Sequence, residues 1–198
     1  YITQKNAEVS PDYIEDGVSL YQMAAAIGSG DFSTVKATAE SMGDEAKAAV
    51  SALENTDFTK VDAIFIMYNL EDYADHRPLG SESVEDVTCI YGAVFKSIQT
   101  IQEAYPYIKV IMLSQPAGGI TIDDFYVDGD KHDIGCGTLT DYVIFETQAV
   151  ASRGACFVDV YYGAINIDQR DKYLYDDYHI NDDGAMSIAS RVKKLGAY

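Results

Sequence analysis

Tryptophan is absent from this chain of 198 residues, proline occurs 4 times and cysteine 3 times. Cys89, Cys136 and Cys156 stand at no metal-binding or redox spacing, and an odd number of thiols is no closed disulfide framework. Cys89 and Cys156 lie in apolar periodic segments and are expected to be buried as small hydrophobes. Cys136, within Gly135-Cys136-Gly137, is open to exposure. Basic side chains are equally scarce: 14 Lys and Arg face 32 Asp and Glu, a net charge of −18. Nucleic acid is therefore excluded as a partner, because neutralising phosphates needs clustered cations. Docking on anionic lipid is disfavoured for the same reason. No apolar run reaches the length of a membrane span, and the mean hydropathy is −0.11. There is no P-loop and no G-x-G-x-x-G, and no cofactor or resident metal is expected. The chain opens at Tyr1 without a signal-peptide pattern, which suits a processed product or a piece of a longer protein.

What is present is enough apolar material for a core, 47% of residues, with 16 Tyr and 7 Phe. Tyr at this density serves wet sugar- or protein-binding surfaces, and equally the ordinary edges of a core. The length suits one domain over residues 1–198, read as a helical N-terminal segment (1–58) and a β-α-β-α-β-α core (59–198). Three apolar, β-rich runs mark the strands: residues 61–68, 107–114 and 155–161. Near-continuous runs of this kind suit strands buried on both faces of a parallel sheet. Helices are expected from Val84 to Tyr105, capped by Ser83 and stopped by Pro106; from Leu139 to Arg153, closed by Gly154; and from Asp183 to Leu195. Residues 14–55 read as wholly helical, interrupted at Gly28-Ser29-Gly30-Asp31. The order predicts a three-layer α/β/α sandwich with right-handed crossovers.

Ligands of such sheets bind beyond the carboxyl ends of the strands. The three loops there hold His76, His132 and His179. Asp123, Asp124, Asp128, Asp130 and Asp133 crowd the middle loop without the spacing of a calcium ladder, and a solvated acidic loop is the simpler reading. Asp75-His76 would need a third ligand to hold a metal.

The informative stretch is Asp176-Asp177-Tyr178-His179-Ile180-Asn181-Asp182-Asp183-Gly184. A carboxylate three residues before a histidine can accept its ring N–H in a tight turn, fixing the tautomer and leaving the other nitrogen as a base. A bare D-x-x-H is more often a surface pair. The longer pattern D-x-x-H-x-N-x-x-G, directly before a terminal amphipathic helix, resembles the final block of the SGNH (GDSL-type) serine esterases and acyl-hydrolases. Residues 61–73, with Pro78-Leu79-Gly80 beyond, resemble the strand and loop that carry that family's G-x-N-D-Y.

The resemblance implies a flavodoxin-like, mostly parallel sheet, with His179 as general base and Asp176 as its orienting carboxylate. Asn69, Glu71 and Asp72 then occupy the oxyanion-hole region in degenerate form: Asn69 stands for the family's Gly and Glu71 for its Asn. An ionised Glu71 offers acceptors where donors are needed. The family's G-D-S block has no counterpart. Ser33, in Gly30-Asp31-Phe32-Ser33, follows a helical stripe rather than a strand, so Gly30-Asp31 reads as a helix break and cap. Ser114 reads as a loop hydroxyl.

Without the family's N-terminal strands, residues 61–68 would form a bare edge, to be paired by an upstream segment or a second chain. The expected activity is hydrolysis of a small-molecule, carbohydrate or lipid ester, with the serine supplied from outside these residues. The alternative is a catalytically degenerate binding or assembly module. Family habit and the acidic, Tyr-rich composition suggest an extracellular or cell-surface setting.

Overall fold

A computed structural model describes residues 19–68 and 70–195 of the chain. It opens with three helices, α1 (Leu20–Ser29), α2 (Ser33–Met42) and α3 (Asp44–Glu54). The expected break is there: Gly30 takes a left-handed φ of 76° and closes α1 with its N–H on the Ala26 carbonyl. Asp31 then accepts the Ser33 N–H at 2.9 Å, the capping role read from the sequence. A second break, which the sequence reading passed over, falls at Gly43 with φ 107°. Residues 14–18 of the expected helical segment lie outside the described residues.

Strand β1 (Ala63–Met67), the short helix α4 (Glu71–Ala74), helix α5 (Ile90–Ala104) and strand β2 (Lys109–Leu113) follow. A two-stranded hairpin comes next, β3 (Gly119–Ile122) and β4 (Phe125–Asp128), then α6 (Leu139–Ser152) and β5 (Cys156–Val158). The chain finishes with α7 (Tyr161–Ala164), α8 (Arg170–Tyr173) and α9 (Asp182–Leu195). The main sheet is parallel in the order β1-β2-β5, with Ile66 beside Met112 and Met112 beside Phe157.

Alternation of side chains across these strands makes two cores. Ile66, Val110 and Met112 join α1, α2, α3, α5 and α6 in one cluster. Leu113 joins Ile165, Leu174, Ile180 and Ile188 on the other face, with Met67, Ile111 and Val158 packed alongside. A small parallel sheet flanked by helices is the α/β architecture expected.

Four local expectations need correcting. Helix α5 starts at Ile90, not Val84, because Ser81, Ser83 and Asp86 bond the nearby amides of Ser83, Glu85 and Thr88 and hold 81–88 in turns. That segment folds back so closely that a Cβ on Gly92 would lie 2.0 Å from the Asp86 carbonyl oxygen. Cys89, not Ser83, caps the helix by accepting the Gly92 N–H.

Strand β1 is not buried on both faces: Phe65 is 58% exposed, since β1 is a sheet edge among the described residues. Cys156 is exposed rather than buried, because β5 is the opposite edge. The acidic middle loop is in part the hairpin β3–β4, turned by Asp123 and Asp124 at φ 49° and 66°. Helix α6 ends as expected, at Gly154 with φ 64°, and opens on a capping box of Thr138 and Asp141.

Candidate active site

His179 sits in a tight hairpin closed by the Leu174–Ile180 bridge, with the Tyr175 N–H on the His179 carbonyl at 2.7 Å. The D-x-x-H-x-N-x-x-G pattern has a structural reason at each position. Asp176 Oδ1 accepts the backbone N–H groups of Tyr178 (3.0 Å) and His179 (2.8 Å), which fixes the turn. Its Oδ2 accepts the His179 ring Nδ1–H at 2.7 Å. Asn181 donates to the carbonyls of Lys172 and Leu174 and accepts the Gly184 N–H at 3.0 Å, tying the hairpin to the first turn of α9. A Cβ on Gly184 would meet the Tyr173 carbonyl oxygen at 2.4 Å, so only glycine lets the two segments approach.

Burial pushes the Asp176 carboxyl up, but the amides of His179 and Tyr178 and the imidazole outweigh it and hold the group below its usual range. With Nδ1 donating, Nε2 is left as the acceptor and points away from Asp176. The Tyr178 ring lies over the imidazole at 4.5 Å between centroids.

Glu71 faces the same imidazole. The resemblance put it in a degenerate oxyanion-hole region, an acceptor where that family has a donor; its Oε1 lies 3.3 Å from His179 Nε2. Glu71 opens α4, four residues past the end of β1, and is 3% exposed. Burial raises its carboxyl above the usual range, and the opposing pull of its own amide and of His179 only partly offsets this. Its position is well fixed, because Leu70 and Tyr73 are fully buried and the Tyr73 hydroxyl donates to the His132 carbonyl at 2.8 Å. Tyr73 also meets Tyr142 edge-on, and the Tyr142 hydroxyl donates to the Arg77 carbonyl. Asp176, His179 and Glu71 thus form one carboxylate–imidazole–carboxyl row at the carboxyl end of the sheet.

The remaining candidates separate. Asp72 is buried beside Glu71, and Asn69 lies outside the described residues. Ser114 is buried at the end of β2, and its oxygen accepts the N–H groups of Val160 (2.9 Å) and Tyr161 (2.8 Å), so it braces α7. Ser33 begins α2 in the helical layer. His76 bonds the Ile134 carbonyl through Nδ1. Among the described residues no group of three His, Cys, Asp or Glu side chains is placed to hold a metal ion, and no helix is long and apolar enough to cross a membrane.

A second buried acid escaped the sequence reading. Glu146 of α6 is 1% exposed, and its Oε2 faces the Gln115 N–H at 3.4 Å. Burial pushes its carboxyl up to about 8. The signal that could have found it was its place in the stripe Leu139, Tyr142, Val143, Glu146, Ala149, Val150, where a charge is out of pattern.

No protein-family model matches the chain, and no curated protein matches it in sequence. Solved structures do resemble its fold. A Lactobacillus plantarum protein solved as a structural-genomics target superimposes with a TM-score of 0.59 at 22% identity, over 70% of this chain and 69% of that one. Another crystal structure gives 0.58 at 22% identity over 67% of this chain, which spans 63% of its length. A structure described as a possible lipase from Chitinophaga pinensis gives 0.50 at 17% identity, over 69% of this chain and 74% of that one. At these identities the likeness is one of fold: a small parallel sheet flanked by helices, of the kind that the lipase-like structure also adopts.

Proposed function

We propose that the row at the carboxyl end of the sheet is the acid–base half of an ester hydrolase of the SGNH (GDSL-type) kind. The observation that carries this is the 2.7 Å bond from His179 Nδ1 to Asp176 in a turn that leaves Nε2 as a base. The fold shared with the lipase-like structure agrees with it. The nucleophilic serine is assigned to a segment outside the described residues, among which no serine hydroxyl is bonded to His179.

In that reaction the serine oxygen bonds to the ester carbonyl carbon while its proton passes to His179 Nε2. Asp176 stabilises the imidazolium. The tetrahedral adduct collapses with loss of the alcohol, which takes the proton from Nε2. Water repeats the sequence on the acyl-serine, releasing the carboxylic acid. Small neutral esters, including O-acylated carbohydrate and lipid esters, are the substrate class, in an extracellular or cell-surface setting.

A second reading rests on one distance. Glu71 stands 3.3 Å from Nε2, on the side from which a hydroxyl has to approach. A carboxyl there in place of a nucleophile is what a degenerate binding or assembly module would carry.

One assay tests the hydrolase reading without the missing serine, because an oriented imidazole itself attacks p-nitrophenyl acetate. Wild type should exceed His179→Ala by at least about tenfold, a modest part of the 10²–10⁴ that a positioned base contributes. Equal rates reject the hydrolase reading and leave the module.

A further inference from the structure

Orienting His179 accounts for only one of the two acids beside it. Asp176 already holds the ring through Nδ1 at 2.7 Å, so a second carboxyl at Nε2 is not needed to place it. Enclosing that second acid costs desolvation free energy and calls for another role. The two side chains differ sharply in exposure, 35% for His179 and 4% for Glu71. A guest can therefore reach the imidazole from solvent while Glu71 stays shielded. Glu71 Oε1 is fully enclosed, and no donor among the described residues other than the His179 ring is paired with it. Burial raises this carboxyl, and Asp75 adds to the rise against the pull of Glu71's own amide and of His179. The group thus keeps its proton more readily than a surface acid does. Its neighbours Leu70 and Tyr73, fully buried, keep it from moving off.

We propose that Glu71 is a catalytic residue: it protonates the departing alcohol when His179 Nε2 itself takes the acyl group, an ester-cleaving route that needs no serine. The proposal rests on the hydrolase reading for His179 and adds the class of ester served by these residues alone. Nε2 bonds to the carbonyl carbon, and the carbonyl π pair moves onto its oxygen. As that pair returns, the C–O bond breaks and the alcohol oxygen takes the Glu71 proton. The leaving oxygen sits on the carbon bonded to Nε2, so an acid 3.3 Å from Nε2 is within its reach. The acyl-imidazolium is then flanked by the Asp176 and Glu71 carboxylates. Water adds to the acyl carbon while Glu71 takes its proton, and the C–N bond breaks to return the pair to Nε2. The carboxylic acid leaves, and Glu71 is protonated again. Imidazole is a milder nucleophile than a serine alkoxide, so the esters served are activated ones, aryl esters foremost.

The test compares p-nitrophenyl acetate with phenyl acetate by kcat/KM, which reads acylation. The p-nitrophenolate ion departs without a proton, whereas phenolate, a stronger base, needs one. In Glu71→Gln the ratio of the phenyl to the p-nitrophenyl value should fall at least about tenfold, a conservative share of the roughly 10²–10⁴ due to a placed acid. A misfolded fraction lowers both rates alike and leaves the ratio alone. A serine-directed sulfonyl fluoride should leave the wild-type rates as they are. An unchanged ratio overturns the proposal, and the hydrolase reading survives it if His179→Ala still loses activity. Inactivation by the sulfonyl fluoride also overturns it, by placing the acyl group on a serine. Equal rates for wild type and His179→Ala remove both.

Discussion

At the scale of single residues, the acids Glu146 and Asp176 have different consequences. Among the described residues no cation forms a salt bridge with Glu146, and burial pushes its carboxyl from the ordinary 4.5 to about 8. The folded state therefore holds a proton that the unfolded chain gives up, and stability must fall as pH rises from about 4.5 to about 8. The substitution Glu146→Gln should flatten that slope and raise the melting temperature at pH 8. Urea unfolding at pH 5 and pH 8 measures the slope, and thermal melts at pH 8 measure the rest. The size should be a few kcal/mol at most, on the scale of ~1.4 kcal/mol per pKa unit.

Asp176 is the opposite case, its carboxyl held down by two amides and the imidazole. Asp176→Asn keeps the turn's shape but removes the anion that fixes the His179 tautomer. The His179-dependent cleavage of p-nitrophenyl acetate should fall to the level of His179→Ala, because the wrong tautomer no longer presents a basic Nε2.

At the scale of elements, the site depends on how closely the 173–181 hairpin meets α9. Gly184→Ala would force a Cβ to within 2.4 Å of the Tyr173 carbonyl oxygen. The expected cost is about 1–3 kcal/mol, typical of an overpacked contact, read as a lower melting temperature. The same variant should lose His179-dependent activity, because Asn181 and the turn must shift with the helix.

This hairpin was also the most legible part of the chain. Its pattern is local, each residue bonding within nine positions of its own, so the longer D-x-x-H-x-N-x-x-G pattern, where the bare Asp–His spacing was not enough, pointed to Asp176 and His179. The three strands and α6 and α9 were legible for a similar reason, since their periodicities run unbroken. Residues 81–88 misled because Val84 and Val87 continue the apolar rhythm of α5, while Ser81, Ser83 and Asp86 bond the backbone into turns. The β3–β4 hairpin was masked by its acid content. Glu71 could not have been placed beside His179 from sequence, since that contact spans more than a hundred residues and depends on where β1 ends relative to the terminal turn.

At the scale of the whole molecule, charge dominates. A net charge of −18 makes the folded state repel itself more than the expanded chain does. Added salt screens that repulsion, since the Debye length falls to about 10 Å at 0.1 M. The melting temperature should therefore climb by several degrees between 10 and 300 mM NaCl at pH 7. A flat or falling trend would mean that local pairs such as Lys36–Glu54, at 2.9 Å and exposed, outweigh the global field.

The carboxylate that orients His179 also bears on what would leave the site. On the proposed hydrolase reading, cutting an ester would turn a neutral guest into an anion a few ångströms from Asp176, an acid held in its ionised form. Two like charges about 6 Å apart in watery surroundings repel by roughly 0.7 kcal/mol, and more where solvent is thin. On that reading the site would take uncharged esters without penalty and drive the freed acid outward, so turnover would resist inhibition by its own product.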